Sequence, residues 1–437
     1  MSGDRAAGGA PSAFSLGRFA KDIGWTTAAN LVAQVSGIVA TVAGARILGI
    51  EEFGLLGLIQ ASLLPFQAAG SMGLATTATV VVASKLGDKA EARRAASSIL
   101  CWTLVCCGAV AMAAFLGASV VSTYTVGDAR LGAGIRLAAC SLLAGSLMTV
   151  LQGLLTGLGE FRHYSYSSAV RGLTLILFTP LLAYPFGTMG VLTAQVVSFG
   201  VTVCWLLVLL WREPIGVLRW DAMSLRREDL PLLFGFTLPS LLSGLAVAIA
   251  TWWGTAYLAR HAGTRDVAIN TSASQLRAVL LFVPSVTAAV LSPYFARSAG
   301  NAGEREDRRL LLLGSGVNGV AGLLCLGVFL LFGRQSLAIF GDGFDRHIGV
   351  LLPYLLSGVV ILLFSPLAQW LTAQRMQWTN LGVNVAWGVV MAVLTVRWID
   401  GGFGVVGFAY ALLAGYVVQT ILYVAVYGRS QVRGGRA

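Results

Sequence analysis

Apolar residues in this chain gather in long unbroken runs. Leu310 to Phe332 is typical, interrupted only by a neutral polar patch around Ser315 and Asn318. Runs of about 18 or more apolar residues read as membrane-spanning helices. About twelve such runs follow one another, centred near Ser36, Pro65, Ala109, Ser146, Ile176, Ser198, Gly244, Leu280, Leu323, Val360, Ala392 and Ala414. The connections between them are short. The longest, Trp211 to Pro231, spans about twenty residues, so no soluble domain is expected. The pattern predicts an all-α membrane protein with about 12 transmembrane helices.

Composition agrees with the pattern. The chain of 437 residues is 57% hydrophobic and only 11% charged, with a mean hydropathy of +0.79. A soluble domain carries roughly 25% charged residues, so there is too little polar surface here to cover a soluble particle. The count of 53 glycines fits the same reading, because glycine is more frequent in membrane helices than in soluble ones. Met1 to Ile23 is hydrophilic and lacks the apolar core and cleavage site of a signal peptide.

The net charge of +11 is a topology signal. With the N-terminus in the cytoplasm, about 20 of the 30 Lys and Arg fall on the cytoplasmic side. The densest groups are Lys85, Lys89, Arg93 and Arg94, then Arg212, Arg219, Arg226 and Arg227, then Arg297, Arg305, Arg308 and Arg309. An even number of spans puts both termini in the cytoplasm, and the basic loops attract anionic lipid. No basic patch is interleaved with exposed aromatics, so no nucleic-acid partner is expected. Cys101, Cys106, Cys107, Cys140, Cys204 and Cys325 all lie inside apolar runs and have no CxxC spacing, so neither a disulfide framework nor a metal site is indicated.

The chain repeats itself at a period of about 214 to 217 residues. Ala45-Arg46-Ile47-Leu48-Gly49 corresponds to Ala259-Arg260-His261-Ala262-Gly263, and Glu52 to Asp266. Phe186-Gly187 and Gly190 correspond to Phe403-Gly404 and Gly407. The predicted organisation is a cytoplasmic tail (1–22), a six-helix half (23–212), a cytoplasmic linker (213–230), a second six-helix half (231–428) and a tail (429–437). Six spans per half give both halves the same orientation. Parallel repeats of this kind are a transporter architecture, with a central cavity between the halves and alternating access by rocking.

Specific stretches carry a family resemblance. Ala45 to Gly49 followed by Glu51-Glu52-Phe53-Gly54-Leu55, and Gly157-Leu158-Gly159-Glu160-Phe161-Arg162 closing the fourth span, resemble the bacterial polysaccharide-unit flippases. Those belong to the multidrug/oligosaccharidyl-lipid/polysaccharide exporter superfamily. The resemblance in length, span count and repeat covers the whole chain. It implies a multi-pass protein of the bacterial inner membrane that moves an undecaprenyl-diphosphate-linked oligosaccharide outward for exopolysaccharide or lipopolysaccharide synthesis. It also implies polysaccharide polymerase and glycosyltransferase partners and no cofactor.

The polar residues within the runs say what a central path would bind. A charge at the bilayer centre costs about 2.5 to 3.5 kcal/mol on insertion scales, so it faces a cavity or a partner. All 19 Asp and Glu fall in loops, tails or span ends, whereas Arg171 and Arg277 fall within runs. With no acid at similar depth, an anionic ligand is their natural complement, and a guanidinium matches diphosphate oxygens bidentately. Asn270, Ser274 and Arg277 share one helix face at i, i+4 and i+7. Asn30 and Gln34 belong to a similar stripe in span 1, and Gln60 in span 2 is the repeat mate of Ser274. Each polar residue could equally serve hydrogen bonding between helices. Arg46 and Arg260, at the outer ends of spans 1 and 7, are either an exit-side anion site or interfacial anchors. Trp252 and Trp253 sit deeper than an aromatic belt and could stack on a sugar or contact lipid.

No catalytic or metal site is indicated. His163, His261 and His347 are isolated, and no HExxH, Walker loop or Ser-His-Asp set is present. Two competing functions remain. A membrane polysaccharide polymerase or ligase would need acids on external loops, and Asp128, Asp342 and Asp345 are available in Ser122 to Arg136 and Phe332 to Gly349. A multidrug exporter would want intramembrane acids for a cationic cargo, and the excess of Arg disfavours it.

Overall fold

The computed structural model describes residues 16–434 other than 72, 86–87, 126–128, 213–216, 219–236, 283–303 and 375. All regular structure among them is helical. The first half comprises α1 (Leu16–Ser71), α2 (Leu74–Ser84), α3 (Lys89–Thr125), α4 (Ala129–Gly157) and α5 (Phe161–Trp211). The second comprises α6 (Thr237–Ala262), α7 (Thr264–Leu280), α8 (Glu304–Ala338), α9 (Ile348–Ala373), α10 (Gln377–Trp398) and α11 (Gly404–Gly434). Most of the predicted linker 213–230, with its basic residues Arg219, Arg226 and Arg227, lies outside the described residues, as does Arg297.

Among the described residues, eight stretches are long and apolar enough to cross a membrane. Three of them, Gly24–Gly70, Phe161–Trp211 and Gln377–Ser430, run to 47, 51 and 54 residues. One crossing takes about 20 residues, so each holds two. The helix α7 occupies the place of the eighth predicted span. The architecture is thus the expected one of about twelve crossings in two repeated halves.

Glycine makes the hairpins. In α1 the backbone turns at Gly49 (φ 73°, ψ 174°), and between α6 and α7 it turns at Gly263 (φ 93°, ψ 172°). In α5 it turns at Gly187 (φ 57°, ψ −136°), and at the start of α11 at Gly404 (φ 50°, ψ −134°). These conformations are essentially closed to residues with a Cβ. The two pairs are the repeat mates found in the sequence, so the repeat extends to backbone dihedrals. The acids of each repeat act alike. Glu52 accepts a 2.5 Å hydrogen bond from the Thr188 hydroxyl, and Asp266 a 2.9 Å bond from the Val405 N–H. Each acid ties its hairpin to the start of span 6 or span 12.

Small residues set how closely the spans approach. A Cβ on Gly172 would lie 2.3 Å from Ser36 Oγ, so spans 5 and 1 meet through bare backbone. Between the halves, a Cβ on Gly54 would lie 2.0 Å from the Thr264 carbonyl oxygen, and one on Gly57 2.2 Å from Thr271 Oγ1. Without hydrophobic pressure inside a bilayer, such close backbone packing is what holds helices together.

The cores divide unequally along the membrane normal. One large buried cluster joins both halves at the end that carries the 46–54 hairpin and includes Phe53, Leu58, Val267, Ile269, Phe340 and Tyr354. At the other end the halves keep separate clusters, one around Leu151 and Leu206 and one around Trp370 and Leu371. Among the described residues, the halves therefore share one buried cluster at one end and keep separate clusters at the other.

Two loop expectations are corrected. The external segment expected at Ser122 to Arg136 is mostly helix, since α3 continues to Thr125 and α4 starts at Ala129. Helical structure in α8 likewise resumes after Phe332 and runs to Ala338, although the helix is kinked at Phe332 itself (φ −116°, ψ 18°), where the sequence ended the span. Long helices outrun the hydrocarbon layer, so hydropathy places their ends too early. Asp128 lies outside the described residues, and Asp345 is held 3.2 Å from Arg334.

Candidate functional site

A cavity of about 620 Å³ lies between the halves, immediately below the Gly57–Thr271 contact. Its wall follows span 2 from Gly57 through Gln60 to Gln67, about 15 Å at 1.5 Å per residue. Spans 4, 5, 6, 7 and 8 complete it.

Arg171 is the one charged side chain among the described residues lining this cavity. Neighbouring elements fix its position. Its guanidinium carbon lies 4.7 Å from the centroid of the Phe199 ring, close enough for cation–π attraction. Its backbone carbonyl accepts a 2.9 Å hydrogen bond from Ser198 Oγ, which clamps span 5 to span 6. Gly145 on α4 lets the Phe199 ring sit close, since a Cβ there would lie 3.4 Å from it. Among the described residues, no carboxylate pairs with Arg171 and no acid lines the cavity. The rest of the polar wall is neutral: the amides of Gln60, Gln67, Gln195, Asn270 and Gln275, with serine and threonine hydroxyls between them. A cationic anchor among neutral donors and acceptors suits an anionic group joined to hydroxyl-rich material.

The residues predicted from sequence divide by place. Arg171, Gln60, Asn270 and Ser274 come together in the cavity wall. Arg277 does not share it. Its guanidinium lies within the second half, 5.4 Å from the Tyr354 ring centroid and 5.7 Å from that of Tyr416. Its Nη1 reaches Ser357 Oγ at 3.4 Å, and its buried Nε has no hydrogen-bond partner among the described residues. The side chain falls away from the Asn270–Ser274 face because Gly358 leaves room, its Cβ position being 3.2 Å from Arg277 Cγ. The link back to the cavity is Tyr354, whose hydroxyl donates to Asn270 Oδ1.

Asn30 accepts a 3.2 Å hydrogen bond from Tyr164, inside the first half, and neither it nor Gln34 is in the cavity wall. Arg46 and Arg260 lie at the closed end, each against backbone carbonyls of the opposite half. Trp253 stacks on Tyr257 at 5.4 Å, and neither Trp252 nor Trp253 lines the cavity. Sequence reasoning missed Gln195, Gln275 and Phe199. The two glutamines were visible as amides inside apolar runs, but Phe199 carried no signal.

Comparison with known proteins gives this geometry a family. The profile described as polysaccharide biosynthesis protein matches residues 19–299, more than half of the chain. The EPS I polysaccharide export inner membrane protein EpsE of Ralstonia nicotianae is 25% identical over 388 residues, 85% of each chain. Among solved structures, an inward-facing MATE family multidrug resistance transporter of the MOP superfamily superposes with a TM-score of 0.77 at 18% identity. That alignment covers 92% of this chain and 95% of that one. A MOP superfamily transporter from Pyrococcus furiosus with a binding pocket of reverse polarity gives 0.71 at 18% identity, covering 95% and 96%. The structural relatives share the fold along nearly the whole length, and the profile supplies the lineage. The chain therefore belongs to the polysaccharide biosynthesis protein family, as a multi-pass membrane protein built on the MOP transporter fold.

Proposed function

We propose that the protein flips an undecaprenyl-diphosphate-linked oligosaccharide from the inner to the outer leaflet of the bacterial inner membrane by alternating access. The observation that carries this reading is Arg171, alone as a charge in a neutral, amide-lined cavity between the halves. A sugar chain and a diphosphate cannot cross hydrocarbon unaided, since each unpaired polar group costs several kcal/mol. The cavity supplies hydrogen-bonding partners for the sugars and a planar guanidinium for the diphosphate. The lipid tail stays in the bilayer. Both termini lie in the cytoplasm on this reading, which puts the open end of the cavity on the side where the lipid-linked unit is made. The export role named for the Ralstonia relative supports the same direction.

The test is leaflet analysis of the lipid-linked precursor in cells. Arg171→Ala should trap precursor on the cytoplasmic leaflet at normal protein level, with flipping reduced about tenfold or more, the worth of one charge-assisted hydrogen bond. Arg171→Lys should restore part of it as a point charge without the fork. Unpolymerised units accumulating outside would indicate a polymerase instead. Normal precursor distribution in Arg171→Ala cells would overturn the cargo assignment.

A further inference from the structure

The closed end of the molecule is held by two arginines that are repeat mates, and each reaches across to the other half. Arg46, at the end of span 1, donates from Nε to the Ile339 carbonyl at 2.7 Å. Ile339 lies one residue beyond α8. Arg260, at the end of span 7, donates from Nη2 to the Tyr124 carbonyl and, at 3.5 Å, to that of Thr123, in the last turn of α3. The helices α3 and α8 are themselves repeat mates, and at an offset of about 214 residues Tyr124 and Ile339 fall within one position of equivalence. The two contacts thus form a pseudo-twofold pair: each half lends one guanidinium to cap the third span of its partner.

The chemistry of the contact is specific. The last carbonyls of a helix have no intrahelical donor and carry the negative end of the helix dipole. A guanidinium is the side chain best suited to satisfy them. Next to the pair, Phe53 of the first half is fully buried beside Phe340 and Phe344 of the second, at centroid distances of 6.3 and 6.1 Å. Gly54 meets Thr264 at the turn, and Gly57 meets Thr271 one helical turn further in. Guanidinium caps, an aromatic cluster and these close glycine contacts together form the seam above the cavity.

We propose that Arg46 and Arg260 form a symmetric latch that holds the outer end shut and must release before cargo leaves. This rests on the alternating-access reading above but not on the identity of the cargo. Both arginines are exposed, so each contact is screened and weak. That suits a latch broken once in every cycle. The exit-side anion site expected for these two residues is, in this conformation, filled by backbone carbonyls.

The experiment places a single reporter cysteine, Ser274→Cys, in the cavity wall one turn below the seam in a chain freed of its six native cysteines. Intact cells are treated with a membrane-impermeant maleimide. In the double variant Arg46→Ala/Arg260→Ala the labelling rate should rise severalfold over the parent. Each single variant should fall between, and the double Arg→Lys variant should stay near the parent. Labelling of the double alanine variant at the parent's rate both in intact cells and in inverted vesicles, with the reporter reactive in the latter, would overturn the latch. A rise seen only in inverted vesicles would keep the latch and overturn the assigned topology. The readout needs no cargo, so a failed cargo assignment leaves it intact. Membrane protein levels and the lysine variant separate a gating effect from a folding defect.

Discussion

Arg171 and Arg277 look alike in the sequence, each a lone guanidinium inside an apolar run, yet their surroundings differ. Arg171 lines the space between the halves, with Phe199 against its guanidinium. Arg277 lies between two tyrosine rings within one half. Removal should therefore have different consequences. Arg277→Ala forfeits two ring contacts, about 0.5 to 2 kcal/mol each. It should lower the thermal midpoint of the detergent-solubilised protein by several degrees and impair export together with stability. Arg171→Ala should impair export and leave the midpoint near the parent. Equal midpoints for the two variants would contradict the packing role of Arg277. Helical spacing recovered Asn270 and Ser274 correctly as one face. It could not foretell that Arg277, one turn further along that face, would drop into a space opened by Gly358 on another span. A long side chain is steered by its neighbours in space, which a single sequence does not display. The neutral wall was only half legible for a related reason: amides inside apolar runs stand out, but which of them share a cavity depends on how the spans are arranged.

At the scale of elements, the hairpin glycines were legible because the repeat pairs them. Their conformations were not, since a glycine in an apolar run is more often a packing residue. The two span 5–6 and 11–12 turns give a graded prediction. Gly187→Ala and Gly404→Ala both force a Cβ into positive φ, at about 1 to 2 kcal/mol. At Gly187 the nearest atom to that Cβ is Leu48 Cδ2 at 3.9 Å, whereas at Gly404 it is Asp266 Oδ2 at 2.7 Å. Gly404→Ala also disturbs the carboxylate that caps α11. It should be the more damaging of the two by at least about 1 kcal/mol, the worth of one helix cap. Thermal denaturation of both purified variants measures this, and the reverse order would count against the capping role of Asp266. The ends of α3 and α8, by contrast, were misjudged from hydropathy because a helix does not stop where the hydrocarbon does.

For the molecule as a whole, the membrane location, about twelve crossings and two parallel halves were legible, because each follows from hydrophobic run length or from self-similarity. The closed and open ends were not. They depend on contacts between residues hundreds of positions apart, such as Phe53 with Phe340. The energy source belongs to this scale too. With no acid in the described cavity wall to carry a proton or sodium ion, an anionic cargo leaving a cell that is negative inside gains about 2.3 kcal/mol per charge per 100 mV. Flipping in proteoliposomes should accelerate when a potential of the physiological sign is imposed and slow when it is reversed. A rate indifferent to potential but following a pH gradient would exclude this coupling.

The matched dihedral angles at Gly49 and Gly263, and at Gly187 and Gly404, are what two copies of one six-helix unit, set side by side in one orientation, would show. In a homodimer of such units each arginine would cap its sister's third helix, and every charge would appear twice. A single chain carries no such obligation. Arg171 and Arg277 each stand in one half alone, facing Trp387 and Leu63 at about the corresponding positions of the other. The scaffold is a duplicate while its intramembrane charges are singular, so a near-symmetric shell encloses a cavity whose described wall takes its guanidinium from one half only.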